Sequence, residues 1–273
     1  MADQKMLLDT FVKHVQEDPS IEGFCPNMYL DTLGFLTIGY GHLLSKLTWE
    51  DHEWKSSETF IYELSNKQMA DIVAYELSSE DATRCLKNLK KTLEDLKSMP
   101  LRAKTSTDRV YDISGNEKNE AIEKAFLELL TKSLILKARL IRDPRAKALL
   151  ASKYRSEVNN LLLPDQDCLK FLEKDVTEKI GHLKSSFPEF ERYPFTAQLA
   201  LLDMSYNMGV GGLKASFPKM TALVRSQNWR KIVDDNEYRR SQVSEKRNSL
   251  VKGWFEEAAK EVEEAQKVLQ KAN

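Results

Sequence analysis

The sequence predicts an α+β protein that is predominantly α-helical, with one small β-hairpin near the N-terminus. Two observations carry this expectation. Apolar residues recur at helical spacing through most of the chain, whereas residues 28–40 combine a β-branched and aromatic run with glycine turn chemistry. With 41% hydrophobic and 30% charged residues over 273 positions, the chain has the composition of a soluble globular protein with a sizeable core.

Residues 4–17 form an amphipathic helix on the spacing of Met6, Leu7, Phe11, Val12 and Val15, and Asp18-Pro19-Ser20 breaks it. Met28-Tyr29-Leu30 reads as a short strand, Asp31-Thr32-Leu33-Gly34 as a turn, and Phe35 to Tyr40 as the return strand. Gly39 and Gly41 weaken that strand and admit a close backbone approach. A long charged helix is expected over 66–98, ending before Pro100, then a polar loop over 101–118. A helix over 119–141 has Ile122, Phe126, Leu129, Leu130 and Leu134 on one face. Asp143-Pro144 restarts the chain into a helix running to about Leu162. Leu163-Pro164-Asp165 opens a helix over 165–184. The segment 195–208 is apolar in every direction and reads as a central buried helix, ended by Gly209, Gly211 and Gly212. Shorter helices are expected over 218–227, 229–236 and 247–270.

Composition removes several functional classes. Lys plus Arg (41) nearly equals Asp plus Glu (42), which argues against a nucleic-acid backbone as partner. Cys25, Cys85 and Cys168 are too widely spaced for a disulfide framework or a zinc site, so three free, buried thiols are expected, along with folding in a reducing compartment. No metal or cofactor is expected. No run reaches the roughly 18 apolar residues of a spanning helix, and Met1 to Thr10 has no signal-peptide pattern. The expectation is synthesis in the cytoplasm without a classical leader, and no membrane insertion.

The residues suited to chemistry lie near the hairpin. Glycosidic hydrolysis needs an acid to protonate the leaving oxygen and a second group to deliver water or stabilise the sugar cation. Glu22 follows the first helix between Ile21 and Phe24, an apolar setting that favours a protonated general acid. Asp31 sits at the turn, where solvent and backbone N–H groups favour the ionised form, and Thr37 on the return strand is placed to face it and help hold a water. On spacing alone the plainer reading stands beside this one: Glu before Gly as a solvated helix end, Asp as a turn former.

Residues 22–44 read Glu-Gly, seven residues, then Asp-Thr-Leu-Gly-Phe-Leu-Thr-Ile-Gly-Tyr-Gly-His-Leu-Leu. This closely resembles the active-site segment of the phage-type lysozymes, the endolysin family of glycoside hydrolases, whose pattern is Glu-Gly, a turn Asp and Thr-Ile-Gly-x-Gly-His. A distant second segment, Ala200 to Gly209 (Ala-Leu-Leu-Asp-Met-Ser-Tyr-Asn-Met-Gly), is similar to the family's central helix and glycine turn, and Phe217 to Leu223 and Lys246-Arg247 to its later elements. The resemblance implies a lysozyme-like fold in which Glu22 is the acid and Asp31, aided by Thr37, handles water or the cation. Leu43, Tyr206, Asn207 and Arg247 are implied to contact glycan. His42 is implied to be structural, with an ion pair to a carboxylate. The implied substrate is bacterial peptidoglycan, met in the periplasm or at the cell wall, and the implied activity is that of a muramidase.

The resemblance covers about 1–45 and 163–270. The expected organisation is therefore an N-terminal part of the lysozyme-like domain (1–45), an inserted helical subdomain (46–162) and a helical C-terminal lobe (163–273). The insertion is either solvated decoration, a cover over the cleft, or a surface for wall, an immunity protein or a delivery protein. An immunity or delivery partner fits an exported antibacterial effector better than an endolysin. Two alternatives stay open: a lytic transglycosylase, against which retention of Asp31 and Thr37 speaks, and a non-catalytic peptidoglycan-binding protein.

Overall fold

The computed structural model describes residues 4–18, 23–30, 36–44, 91, 93–142, 161–241 and 243–272. The chain divides into two compact units, Met1–Gly23 with Leu172–Asn273, and Phe24–Phe171. The architecture is α+β, mostly helical, with one small antiparallel sheet.

In the first unit, α1 (Gln4–Glu17) buries Leu7, Phe11, Val12 and Val15, the stripe its sequence spacing predicts. It packs on α4 (Phe195–Ser216), which buries residues all around its axis, Ala197 through Ser205. Between them in sequence, α3 (Asp165–Ser186) contributes Leu172, Val176, Ile180 and Leu183 to this core. The helices α5 (Pro218–Arg225), α6 (Trp229–Asp234) and α7 (Glu245–Ala272) complete the unit, with α7 lying along both α4 and α6. Asn228 caps α6, its side-chain oxygen accepting from the Lys231 N–H. Trp229, 1% exposed, is stacked on Phe255 of α7 at 6.2 Å and met edge-on by Tyr193 at 5.1 Å. At Gly209 the backbone leaves the helical region (φ 73, ψ 159) and the apolar run from Phe195 ends as expected; a second helical run then follows through Gly211 and Gly212 to Ser216.

The second unit holds a six-stranded sheet of order β3-β2-β1-β6-β4-β5. Its strands are β1 (Cys25–Leu30), β2 (Leu36–Gly39), β3 (His42–Leu43), β4 (Arg102–Lys104), β5 (Val110–Asp112) and β6 (Leu161–Leu162). Two sequence expectations fail here. The supposed loop 101–118 contains the β4–β5 hairpin, with Arg102 opposite Asp112 and Lys104 opposite Val110. Its Thr105-to-Asp108 segment is the turn, in which Asp108 takes φ 63 and the Thr105 hydroxyl accepts from two backbone N–H groups. Leu161 and Leu162, expected to close a helix, form β6 instead, which joins β1 to β4. The Asn27 amide nitrogen donates to the Leu161 carbonyl at 2.8 Å, and the Leu163 N–H to the Pro26 carbonyl at 2.8 Å.

Helix α2 (Gly115–Arg142) packs on β1, β2 and β6 through Ile122, Ala125, Phe126 and Leu129. Residues 93–98 are helical, and Lys97 bridges to Glu123 of α2 at 2.8 Å. The remainder of the helix expected over 66–98, and the start of the one after Pro144, lie outside the described residues. Among the described residues no helix is long and apolar enough to cross a membrane.

Candidate active site

The sheet positions the hairpin residues. Thr37 stands within β2 and is 3% exposed, opposite Tyr29 on β1 and Leu43 on β3. Leu43 is half-buried. The reversal from β2 to β3 uses Gly39 and Gly41 at φ 66 and 84, backbone that an L side chain resists. Gly39 also answers a packing need, because a Cβ built there meets Cys168 Cβ and Sγ at 3.2 Å. The His42 ring stacks on Phe171, centroids 4.2 Å apart and planes within 8°. That stack gives His42 a structural anchor. Glu22 and Asp31 lie outside the described residues; Asp31 directly follows β1, whose last residue, Leu30, pairs with Leu36 of β2. Phe24, expected to bury Glu22, is 42% exposed and lies against Tyr40 at 4.7 Å.

In the helical unit, Tyr206 is half-buried with its ring tilted on Phe11 at 5.6 Å, and Asn207 is exposed just before the Gly209 kink. Arg247 is the fourth residue implied to contact glycan. It is 3% exposed, and its Nε donates to the two Asp203 carboxylate oxygens at 2.9 and 3.2 Å while Nη2 reaches the Asp203 carbonyl at 3.4 Å. A buried guanidinium held by a buried carboxylate organises this core.

Asp203 is the centre of a network that sequence reasoning missed. Arg240 Nη2 donates to its Oδ2 at 2.7 Å, both side chains being fully buried. Asn248 brackets Arg240, accepting from its N–H and donating to its carbonyl. Burial pushes the Arg240 guanidinium below its ordinary value, against the pull of Asp203. His14 stands nearby, edge-on to Trp254 at 5.1 Å with a buried, unpartnered Nε2. Burial lowers its pKa, with Asp203 and Asp18 opposing. At the end of α1, Asp18 accepts from Lys246 Nζ at 2.9 Å. One signal was available: Asp203 is the only charged residue from Phe195 to Gly212, and a lone acid in so apolar a helix requires a buried partner.

Among the described residues no group of three or more His, Cys, Asp and Glu side chains forms a metal-binding cluster. Cys168 is buried, Cys25 is half-buried and neither is in a disulfide, while Cys85 lies outside the described residues. The chain matches no protein-family model, no curated protein and no solved structure.

Proposed function

We propose that the chain is a muramidase of lysozyme-like fold, hydrolysing the β-1,4 bond between N-acetylmuramic acid and N-acetylglucosamine in bacterial peptidoglycan. The observation that carries this is the unbroken series Glu22-Gly23, Asp31 and Thr37-Ile38-Gly39-Tyr40-Gly41-His42, accompanied by Tyr206-Asn207-Met208-Gly209 far along the chain. Three features support it. The α+β architecture is of the required kind, Thr37 is held in a paired hairpin, and the backbone breaks at Gly209 directly after Asn207 and Met208.

In this reading the Glu22 carboxyl gives its proton to the glycosidic oxygen as the C1–O bond breaks. Positive charge develops on the sugar ring, and a water held by Asp31 and the Thr37 hydroxyl bonds its oxygen to C1 while giving a proton to the Asp31 carboxylate. A hydroxyl both donates and accepts, so Thr37 is able to hold the water's hydrogen while its own proton satisfies a carboxylate. Tyr206, Asn207 and Leu43 are the proposed glycan contacts.

The test is turnover of purified peptidoglycan by wild type and Glu22→Gln. Loss of the acid is expected to lower kcat by about 10²- to 10⁴-fold with the fold intact by circular dichroism. Equal clearing of walls by the folded variant refutes the assignment. Products with reducing muramic acid ends are expected. Anhydro-muropeptides as the main product would identify a transglycosylase, and wall binding without cleavage by wild type a non-catalytic binder.

A further inference from the structure

Cys25 and Cys168 stand near the two ends of the unit Phe24–Phe171, one at the start of β1 and the other in the first turns of α3. They are 143 residues apart in sequence (168 − 25) and close in space. Cys25 is the cross-strand partner of Gly39, and such partners have Cβ positions about 5 Å apart. Cys168 packs over that same glycine: a Cβ built on Gly39 lies 3.2 Å from both its Cβ and its Sγ, and 3.7 Å from its Cα. The two thiols therefore border one space that Gly39 leaves without a side chain, and charge on Cys25 acts on Cys168.

We propose that Cys25 and Cys168 are a disulfide-forming pair that staples the Phe24–Phe171 unit at its root when the chain meets an oxidising disulfide. The pair belongs to the fold and stands apart from the muramidase chemistry. Cys25, the more exposed thiol, attacks as thiolate on a sulfur of a small-molecule or protein disulfide. That forms a mixed disulfide and expels one thiolate. Cys168 then attacks the Cys25 sulfur and expels the second. Two protein thiols become one disulfide, and two electrons and two protons pass to the oxidant, which leaves as two thiols. Burial pushes the Cys168 thiol up to about 12, with Asp165 and Asp167 adding to the effect. Its thiolate is scarce at neutral pH, so the second step is the slow one and the mixed disulfide accumulates before closure.

The experiment uses the full chain carrying Cys85→Ser, oxidised with glutathione disulfide, alkylated and digested without reduction. Expected are the loss of two thiols per chain, one peptide pair joining Cys25 to Cys168, and a Tm at least about 5 °C above the reduced form, since the closed loop is long. Cys25→Ser, at a half-exposed position, is expected to abolish both the cross-link and the Tm rise, and it serves as control even where Cys168→Ser does not fold. Two thiols that survive an oxidant able to oxidise the urea-unfolded chain overturn the proposal. So does a cross-linked form that melts below the reduced one.

Discussion

Replacing Asp203 by Asn keeps the shape and most of the hydrogen-bonding capacity of the side chain while removing its charge. In the native fold that charge faces Arg240 at 2.7 Å and Arg247 at 2.9 Å, with side-chain exposures of 0% for Asp203, 0% for Arg240 and 3% for Arg247. Water does not screen such a group. Arg240 Nε and Nη1 already lack hydrogen-bond partners, and burial already disfavours its charged form with the carboxylate in place. Breaking a buried ion pair by removing one partner costs about 3–5 kcal/mol, because a desolvated charge is left behind. With an m-value of about 2 kcal/mol/M, the urea midpoint of the helical unit should fall by roughly 2 M. Far-UV circular dichroism and the fluorescence of Trp229 and Trp254 report the transition. The double variant Asp203→Asn, Arg240→Met removes the orphaned cation and should recover at least about 1 kcal/mol relative to additivity. A single variant within ~0.3 M of the wild-type midpoint refutes the view that this network holds the core together.

Two further outcomes follow from local geometry. His14 has a folded-state pKa below the ordinary 6.5, chiefly from burial, so the unfolded chain takes up its proton first as pH falls. The His14 contribution is therefore flat above pH 6.5 and destabilising as pH drops from 6.5 towards the folded value. Urea titrations at stepped pH should show a shallower acid loss for His14→Gln than for wild type, and parallel curves would contradict this. Gly39→Ala should cost about 1–3 kcal/mol, since the new methyl group meets Cys168 at 3.2 Å on backbone at φ 66. Thermal denaturation measures the loss, and an unchanged Tm would mean that the β2–β3 reversal tolerates a side chain.

Where the determinants were local, the sequence was sufficient. The stripe from Leu7 to Val15 set α1, Pro218 marks the start of α5, and the run before Tyr40 set β2. Where they were not, it failed for identifiable reasons. Strands of two and three residues, such as Leu161–Leu162 and Arg102–Lys104, have too little length to show an alternation. Gly209 does break the helix, but Gly211 and Gly212, read with it as terminators, lie in a second helical run, because neither needs a positive φ there. Among the candidate site residues, Thr37 and Leu43 fell on paired strands as their composition suggests. The burial of Arg247 was hidden, because Asp203 lies 44 residues away and only tertiary packing reveals the pair.

The place of β6 in the sheet has a consequence for how the chain assembles. The link between Asn27 and Leu161 spans 134 residues. While the polypeptide is being made, β1 can pair early with β2, but its opposite edge waits until residue 161 has emerged, and so does the free edge of β4. Non-local pairings of this kind form late, because the intervening chain must first be closed into a loop. A nascent or truncated product stopping short of residue 161 therefore presents two unsatisfied strand edges at once, the form of backbone that recruits neighbouring chains.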